Sequence, residues 1–348
     1  MIEVKGYAAH NASSPLSPFS FERRNLLDYD VMIDINYCGI CHTDIHQVKN
    51  EWGRSNYPMV PGHEIVGVVS KVGSKVTQFK VGNQVGVGCF VDSCRNCDTC
   101  KKGLEQYCSS LLTTYNGIEK DGKTITQGGY SNKIIVDENY VLHMPENLKP
   151  ENAAPLLCAG ITLYSPLMKW NAGPGKKIGI IGLGGLGHIG VKIAHALGAE
   201  VSVLSHSHKK QKDSMKMGAD YFYSSSDPKT FEKLEGYFDI MINTISANVD
   251  LNEYLNLLKL DGTMVIVGIP EKDSHISPYT LISARRNLTG SLIGGILETQ
   301  QMLDFCSKHK IECDVELISI QKINEAYERI INSDVRYRFV IDLSSLKC

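Results

Sequence analysis

The chain has 348 residues, of which 43% are hydrophobic and 21% are charged, which is usual for a soluble globular enzyme of two domains. Its 36 lysines and arginines against 38 aspartates and glutamates give a net charge of -2. That balance gives no electrostatic reason to expect a nucleic acid or an anionic membrane as a partner. No apolar run of about 18 residues is present, and residues 1–5 lack the apolar core of a secretory signal, so we expect a cytoplasmic protein.

Eleven cysteines are a high number for such a chain. Disulfides are disfavoured in a reducing compartment, so clustered thiols indicate metal binding or catalysis. The odd number also argues against a complete set of disulfides.

The first part of the chain contains short apolar runs separated by glycine-containing turns. Val31–Ile35, Ile65–Ser70 and Gln84–Val87 are typical of strands, and helical periodicity is scarce. We therefore predict a compact, irregular β domain over residues 1–150.

From residue 151 onward, strands and helices alternate. Strands are predicted at Lys177–Ile181, Val201–Leu204, Phe238–Asn243 and Thr263–Gly268, with helices up to Leu197, over His208–Met217 and over Asn252–Leu258. This βαβ alternation predicts a doubly wound parallel sheet over residues 151–285, in an α/β protein. Asn287–Ile293 could add another strand, and residues 286–348 are expected to complete the first domain.

A glycine-rich turn follows the first of these strands. Residues 182–187 match G-x-G-x-x-G, a weak signal alone that gains meaning here because it follows an apolar strand and opens a helix. Glycines let the backbone approach a pyrophosphate, and the helix N-terminus supplies amide donors. We predict that this turn binds a dinucleotide through Gly182, Gly184, Gly185, Leu186 and Gly187.

The end of the second strand indicates which dinucleotide is bound. An NAD site usually has an acidic residue there, which accepts a hydrogen bond from the ribose 2′-hydroxyl. This chain has Ser205, His206, Ser207 and Lys210 instead, and these favour the negatively charged 2′-phosphate of NADP. The alternative is a solvated turn that leads into a basic helix start.

The strongest single motif is a group of four cysteines, Cys94, Cys97, Cys100 and Cys108. Four thiolates at this spacing can complete a tetrahedral zinc site, and a closed shell of sulfurs indicates a structural role. A ferredoxin-type iron–sulfur cluster would need a closer fourth cysteine followed by proline. Redox disulfides are the other alternative, and zinc is favoured over both.

Cys41, His63 and Cys158 are far apart, so their spacing alone does not show that they meet. Two thiolates and one imidazole, with a fourth position left to water or substrate, are typical of a catalytic zinc site. Each residue also has an ordinary alternative. A single cysteine is usually a small buried hydrophobe, and Cys38 with Cys41 could be a redox C-x-x-C pair.

Four motifs together carry a family resemblance: Gly39–His46, Pro61–Glu64, Glu105–Cys108 and Gly182–Gly187. With these motifs in this order, the chain resembles the zinc-containing medium-chain alcohol dehydrogenases over essentially its whole length. Within that family it most resembles the cinnamyl alcohol dehydrogenase branch. The resemblance implies a GroES-like catalytic domain, a Rossmann domain and a homodimer. It also implies two zinc ions per chain, one catalytic and one structural, and NADP(H)-dependent interconversion of primary alcohols and aldehydes.

The resemblance also implies roles for single residues. Cys41, His63 and Cys158 would bind the catalytic zinc, and Glu64 would be a transient ligand or a contact of the ligands. Asp44 would orient the imidazole.

Proton transfer and cofactor binding are assigned on the same basis. Thr43 would accept the alcohol proton and pass it through the nicotinamide ribose to His46. The alternative is a helix-capping threonine and a surface histidine. Thr162, which closely follows Cys158, is expected to contact the cofactor.

Trp52, Thr113, Leu292 and Ile293 fall near positions that line the substrate pocket in this family. Plant relatives commonly have a bulky aromatic residue where this chain has Thr113, which argues against a strict preference for cinnamyl substrates.

Two rival functions are weaker. A polyol dehydrogenase would usually replace Cys158 with a carboxylate. A non-enzymatic zinc-binding module would leave the nucleotide-binding pattern unexplained. The remaining cysteines, Cys89, Cys306, Cys313 and Cys348, are predicted not to bind metal.

Overall fold

The computed structural model describes residues 1–270 and 272–346, so the prediction for Cys348 lies outside the described residues. Its strands are β1 (Ile2–Ala8), β2 (Ser17–Arg23), β3 (Asp30–Gly39), β4 (Ile65–Val72), β5 (Gln84–Val87), β6 (Phe90–Asp92), β7 (Leu112–Thr113), β8 (Lys133–Asp137), β9 (Leu142–His143), β10 (Lys177–Ile181), β11 (Glu200–Ser205), β12 (Tyr221–Ser224), β13 (Phe238–Asn243), β14 (Leu258–Ile266), β15 (Asn287–Gly290), β16 (Val315–Ser319) and β17 (Arg338–Asp342).

Its α-helices are α1 (His42–Val48), α2 (Asp98–Lys101), α3 (Pro150–Ala153), α4 (Ala159–Lys169), α5 (Gly187–Ala196), α6 (Gln211–Lys216), α7 (Pro228–Lys233), α8 (Leu251–Asn256), α9 (Pro278–Ile282), α10 (Ile296–His309) and α11 (Ile323–Ile331). Among the described residues, none of these helices has the length and apolar character that crossing a bilayer requires.

The chain forms two compact units. Unit 1 contains Met1–Cys158 and the segment that begins at Gly294, and unit 2 contains Ala159–Ile293. Both junctions lie eight residues later than the predicted boundaries at 150 and 285. At the second junction, strand β15 pairs with β14 in the sheet of unit 2. At the first, Leu157 packs against Gly86 of β5 in unit 1.

Unit 1 is built on a seven-stranded sheet with the order β16-β17-β3-β4-β5-β9, in which β8 also pairs with β3. Strand β3 is central to it, and Val31, Ile33 and Ile35 alternate along it as buried side chains. Strands β3 and β4 are antiparallel, with Cys38 opposite Ile65, and β17 is antiparallel to β3, with Val340 opposite Gly39. The end of β3 therefore lies beside the start of β4 and the last three residues of β17.

Unit 2 is a six-stranded parallel sheet with the order β12-β11-β10-β13-β14-β15. This confirms the predicted doubly wound fold. Because β10 and β11 are parallel neighbours, their carboxyl ends meet, and the Gly182 amide donates to the Leu204 carbonyl at 2.8 Å. The glycine-rich turn and Ser205 consequently lie at one edge of the sheet.

The limits of two predicted helices in unit 2 are different in the structure. The helix predicted over residues 252–258 ends at Asn256, because Leu258 already pairs with Phe238 as the first residue of β14. The helix predicted over residues 208–217 starts as a 3-10 turn over His208–Lys210 and becomes α-helical at Gln211.

Candidate metal and cofactor sites

Four residues that are distant in the sequence converge in unit 1. One ligand atom each from Cys41, His63, Glu64 and Cys158 lies within 4.8 Å of the others, and all four residues are buried. The pairing of β3 with β4 accounts for the first three, because Cys41 follows β3 and His63–Glu64 directly precede β4. Cys158 follows the 3-10 helix Ala154–Leu157.

The donor set fits zinc in chemistry and in spacing. Zinc–sulfur bonds of about 2.3 Å place two sulfurs of a tetrahedral site about 3.8 Å apart. The Sγ atoms of Cys41 and Cys158 are 3.9 Å apart, and neither cysteine forms a disulfide. Hydrogen bonding from the Cys158 thiol lowers the pKa of Cys41 well below its usual value, and the same contact raises the pKa of Cys158.

Glu64, one of the four residues of the cluster, is paired with a buried arginine. Its Oε1 atom forms an ion pair with the guanidinium of Arg338 at the start of β17, and the two side chains are 0% and 5% exposed. The other oxygen, Oε2, has no hydrogen-bond partner in the described part of the chain. A Cβ at Gly39 would lie 1.9 Å from that oxygen, so only glycine leaves room for the carboxylate. Burial raises the pKa of Glu64 to about 7, although Arg338 opposes the rise.

Asp44 orients the imidazole of His63, as the family resemblance implies. Its Oδ1 atom accepts from His63 Nδ1 at 3.0 Å and from the Gly62 amide at 3.2 Å. Its Oδ2 atom accepts from the Cys41 amide at 2.9 Å and from the Tyr130 hydroxyl at 3.2 Å. Although burial opposes a charge on His63, Asp44 raises the pKa of that imidazole well above its ordinary value. With Nδ1 donating to Asp44, Nε2 is the nitrogen left for a metal.

Thr43 and His46 lie on helix α1, which begins directly after Cys41. They are three residues apart and so share one face of the helix. His46 Nδ1 contacts the Glu51 carboxylate, and its ring packs against Trp52 with the centroids 5.1 Å apart. The His46 side chain is 18% exposed.

The four cysteines of the second group lie close together within a single loop of unit 1. The ligand atoms of Cys94, Cys97, Cys100 and Cys108 all lie within 4.8 Å of one another. Two of the sulfur pairs are 3.9 and 3.5 Å apart, again close to the tetrahedral spacing. Hydrogen bonds from the Thr99 hydroxyl and the Cys100 amide lower the pKa of Cys97 to about 6, which favours the thiolate.

The same loop is joined to helix α10. The Glu105 carboxylate accepts from the Ile296 amide at 3.2 Å, at the first residue of that helix. A Cβ at Gly295 would lie 1.9 Å from the Gly103 carbonyl oxygen, so the loop and the helix start are in close contact. A metal in this loop would therefore also fix the start of α10.

In the glycine-rich turn of unit 2, the packing of the protein accounts for Gly182 and Gly187 but not for Gly184. Gly182 has φ +91, and a Cβ at Gly187 would lie 2.0 Å from the Gly182 carbonyl, so both are required by the turn. A Cβ at Gly184 would meet no atom within 4 Å. The open space at Gly184 matches a turn that a ligand approaches closely.

The residues predicted to select NADP follow β11. Ser205 ends the strand, while His206 and Ser207 are exposed. Lys210 donates from Nζ to the Leu183 carbonyl at 2.9 Å, which brings the ammonium to the glycine-rich turn. Thr162 is buried in helix α4 of the same unit.

The predicted pocket residues divide between the units. In unit 1, Trp52 is 37% exposed, and the Thr113 hydroxyl donates to the Tyr115 carbonyl at 2.8 Å. In unit 2, Leu292 is 50% exposed and Ile293 is the last residue of the unit.

Sequence reasoning missed Arg338, Tyr130 and Tyr327. Arg338 comes from the C-terminal β17, and Tyr130 and Tyr327 come from a loop and from α11. None of them belongs to a recognisable motif. A buried arginine beside a carboxylate becomes visible only when the strands are paired.

The chain is similar to known alcohol dehydrogenases over most of its length. Residues 28–146 match the family model of the alcohol dehydrogenase GroES-like domain, and residues 185–308 match that of the zinc-binding dehydrogenases. NADP-dependent alcohol dehydrogenase C 1 of Mycolicibacterium smegmatis is 59% identical over 349 residues, which cover 100% of both proteins. Cinnamyl alcohol dehydrogenase 8 of Arabidopsis thaliana is 51% identical, over 99% of this chain and 96% of the relative.

Solved structures give the same result. A cinnamyl alcohol dehydrogenase from Sorghum bicolor superposes with a TM-score of 0.96 at 45% identity, covering 98% of each chain. The cinnamyl alcohol dehydrogenase from Helicobacter pylori, complexed with NADP(H), has a TM-score of 0.93 at 42% identity, covering 99% of each chain. The predicted family and fold are thus confirmed, and the chain belongs to the zinc-containing alcohol dehydrogenases.

Proposed function

We propose that this protein is a zinc-dependent alcohol dehydrogenase that transfers a hydride between NADP(H) and primary alcohols or aldehydes, aromatic or aliphatic. The convergence of Cys41, His63, Glu64 and Cys158 on one buried point carries the proposal. The names of the relatives, NADP-dependent alcohol dehydrogenase and cinnamyl alcohol dehydrogenase, support this substrate class. A polyol dehydrogenase would usually have a carboxylate in place of Cys158, and a zinc-binding module would not need this second cluster.

Two zinc ions per chain are proposed. Cys41, His63 and Cys158 would hold the catalytic ion, with Glu64 as an additional carboxylate at the same point. Zinc, when bound, acts as a Lewis acid that favours the alkoxide over the alcohol and polarises an aldehyde carbonyl. The structural ion would be held by Cys94, Cys97, Cys100 and Cys108, whose four sulfurs leave no open position.

Thr43 and His46 are proposed to move the alcohol proton. The Thr43 hydroxyl would accept it, and His46 would deliver it to solvent. Because the Glu51 carboxylate accepts from His46 Nδ1, the Nε2 atom remains available to take up and release a proton. Helix α1 carries both residues directly after Cys41, so one short element would hold a metal ligand and the proton path.

The cofactor would be bound by unit 2. Gly182, Gly184, Gly185, Leu186 and Gly187 would face the pyrophosphate, where the start of α5 supplies amide donors. Ser205, His206, Ser207 and Lys210 would bind the 2′-phosphate, and Thr162 is a further proposed contact. NADP(H), when bound, supplies or accepts the hydride at its nicotinamide ring.

The protein is further proposed to be a cytoplasmic homodimer. Strand β15 is at the edge of its sheet, and an unpaired edge favours pairing with a second copy. Apolar side chains of unit 2 that are strongly exposed support this, namely Leu260 at 67%, Tyr279 at 76% and Ile282 at 72%. None of the ten described cysteines forms a disulfide, as is usual in a reducing compartment.

Metal analysis combined with a cofactor screen tests the proposal. The purified enzyme is expected to contain two zinc ions per chain and to reduce aromatic and aliphatic aldehydes faster with NADPH than with NADH. The Cys158→Ser variant should keep one zinc and lose activity. One zinc or none in the unaltered enzyme would contradict the two-site assignment, and equal rates with both cofactors would contradict the NADP assignment.

A further inference from the structure

A buried carboxylate joins two candidate zinc ligands to the protein around them. Asp44 is 0% exposed, and each of its two oxygens accepts two hydrogen bonds. A carboxylate has about four acceptor positions, so these donors fill them. Two donors, His63 Nδ1 and the Cys41 amide, belong to the candidate ligands themselves. The orientation of Asp44 therefore bears on both ligands at once.

One of the four donors comes from outside the ligand segments. The Tyr130 hydroxyl donates to Asp44 Oδ2 at 3.2 Å, and it accepts in turn from the Tyr327 hydroxyl of helix α11 at 3.5 Å. Tyr130 is 0% exposed, and its ring packs on Gly62, where a Cβ would lie 2.7 Å from it. Tyr327 is 7% exposed, so water does not readily replace either hydroxyl.

We propose that Tyr130 is a positioning residue for the catalytic metal: its hydroxyl fixes the Asp44 carboxylate, which in turn fixes the imidazole of His63. This inference rests on the proposed ligand set. The groups that orient metal-bound histidines commonly change metal affinity by ten- to hundredfold when they are removed. The Tyr130 hydroxyl lies one step beyond such a group, and Tyr327 lies two steps beyond it.

The four-cysteine loop provides a matched control. The Tyr140 hydroxyl is hydrogen-bonded to the Ser93 hydroxyl at 2.7 Å, and Ser93 Oγ lies 3.2 Å from Cys100 Sγ. Tyr140 is therefore also a buried tyrosine whose hydroxyl is separated from a candidate zinc ligand by one side chain, but at the other site. Changing either tyrosine to phenylalanine keeps the ring and removes only the hydroxyl.

The experiment measures zinc release from the holoenzyme to an excess of a chromogenic chelator. The Cys158→Ser enzyme retains only the structural site. The zinc-release phase that this variant still shows therefore belongs to the structural site, and the phase that it lacks belongs to the catalytic site. Tyr130→Phe is expected to speed the catalytic-site phase about tenfold and to leave the other phase unchanged. Tyr140→Phe is expected to do the reverse. Tyr327→Phe should speed the catalytic-site phase by less than Tyr130→Phe, and it serves as the test variant if Tyr130→Phe does not fold.

Four outcomes would overturn the inference. The first is that Tyr130→Phe releases zinc from the catalytic site at the same rate as the unaltered enzyme. Where Tyr327→Phe is the test variant, the same result for that variant counts equally. The second is equal acceleration of both phases, which indicates general loosening of unit 1. The third is a catalytic-site phase that Tyr140→Phe accelerates as much as Tyr130→Phe does. The fourth is that the unaltered enzyme and Cys158→Ser show the same zinc-release phases, so that no phase belongs to the catalytic site. This result would also refute the ligand assignment.

Discussion

The buried pair between Arg338 and Glu64 gives the sharpest energetic prediction. Glu64 is fully buried and Arg338 is 5% exposed, so neither charge can recover its hydration if the other is removed. We predict that Arg338→Met strongly destabilises unit 1, because it leaves the Glu64 carboxylate buried without its counter-charge.

The expected magnitude follows from that burial. Removal of one partner from a buried ion pair costs about 3–5 kcal/mol, which is a large part of a typical unfolding free energy of about 5–15 kcal/mol. Glu64→Gln should cost less, because the thiolates of Cys41 and Cys158 still interact favourably with Arg338. The double variant Glu64→Gln/Arg338→Met should be more stable than Arg338→Met alone, since no carboxylate then remains unpaired.

Urea unfolding followed by tryptophan fluorescence measures the effect in the correct unit. The protein has two tryptophans, and in a Trp170→Phe background Trp52 of unit 1 is the only reporter. Arg329→Met is a matched control in the same unit. The Arg329 guanidinium pairs with Glu316 at 2.9 Å and with Asp334 at 3.2 Å, but the three side chains are 32%, 36% and 75% exposed, so a loss of about 1 kcal/mol is expected.

Additive effects in this double-mutant cycle would refute the reasoning, since additivity means that the two charges do not depend on each other. The same conclusion would follow if Arg338→Met cost no more than Arg329→Met. Zinc content must be equal among the compared proteins, because bound metal adds its own stabilisation.

Three further predictions concern chemistry. Lys210→Ala should weaken NADPH binding about ten- to hundredfold, because it removes a charge-assisted hydrogen bond, and should weaken NADH binding much less. Equal losses of affinity for the two cofactors in direct titrations would contradict the assignment. His46→Ala should keep both zinc ions but slow turnover by a factor of about 100 or more, and unchanged rates across about pH 6–9 would remove His46 from the mechanism. Cys97→Ser should lower the zinc content from two ions to one, because a closed site needs all four sulfurs, and loss of both ions would argue against independent sites.

The features that the sequence predicted best are those encoded within a few consecutive residues. The four cysteines that form the loop cluster span only residues 94–108, and the glycine-rich turn with its strand and helix is equally local. Local patterns of this kind carry their own geometry, so spacing and periodicity are sufficient to identify them.

The proposed catalytic cluster was predictable only through the family resemblance. Its meeting point depends on the antiparallel register that sets Cys38 opposite Ile65, and no spacing in the chain encodes that register. The same limit explains why Arg338 was missed, since its position depends on the pairing of β17 with β3.

Element limits were harder to predict for a different reason. Leu257 and Leu258 are both fully buried, so apolar character does not show where α8 ends and β14 begins. The junction near residue 285 was placed too early because β15 is only four residues long, and its membership in the sheet of unit 2 rests on pairing with β14.

Two of the missed residues, Arg338 and Tyr130, compensate buried negative charge at the proposed catalytic site. A zinc dication at the proposed catalytic site would be balanced by the thiolates of Cys41 and Cys158, which would leave the carboxylates of Asp44 and Glu64 as two excess negative charges in a buried site. Such charges are tolerated only if each is paired or fully hydrogen-bonded. Glu64 is paired with Arg338, and Asp44 is satisfied by four donors, one of them the Tyr130 hydroxyl. The proposed metal site therefore depends on Arg338 and Tyr130, which are not among its proposed ligands and are far from all of them in the sequence.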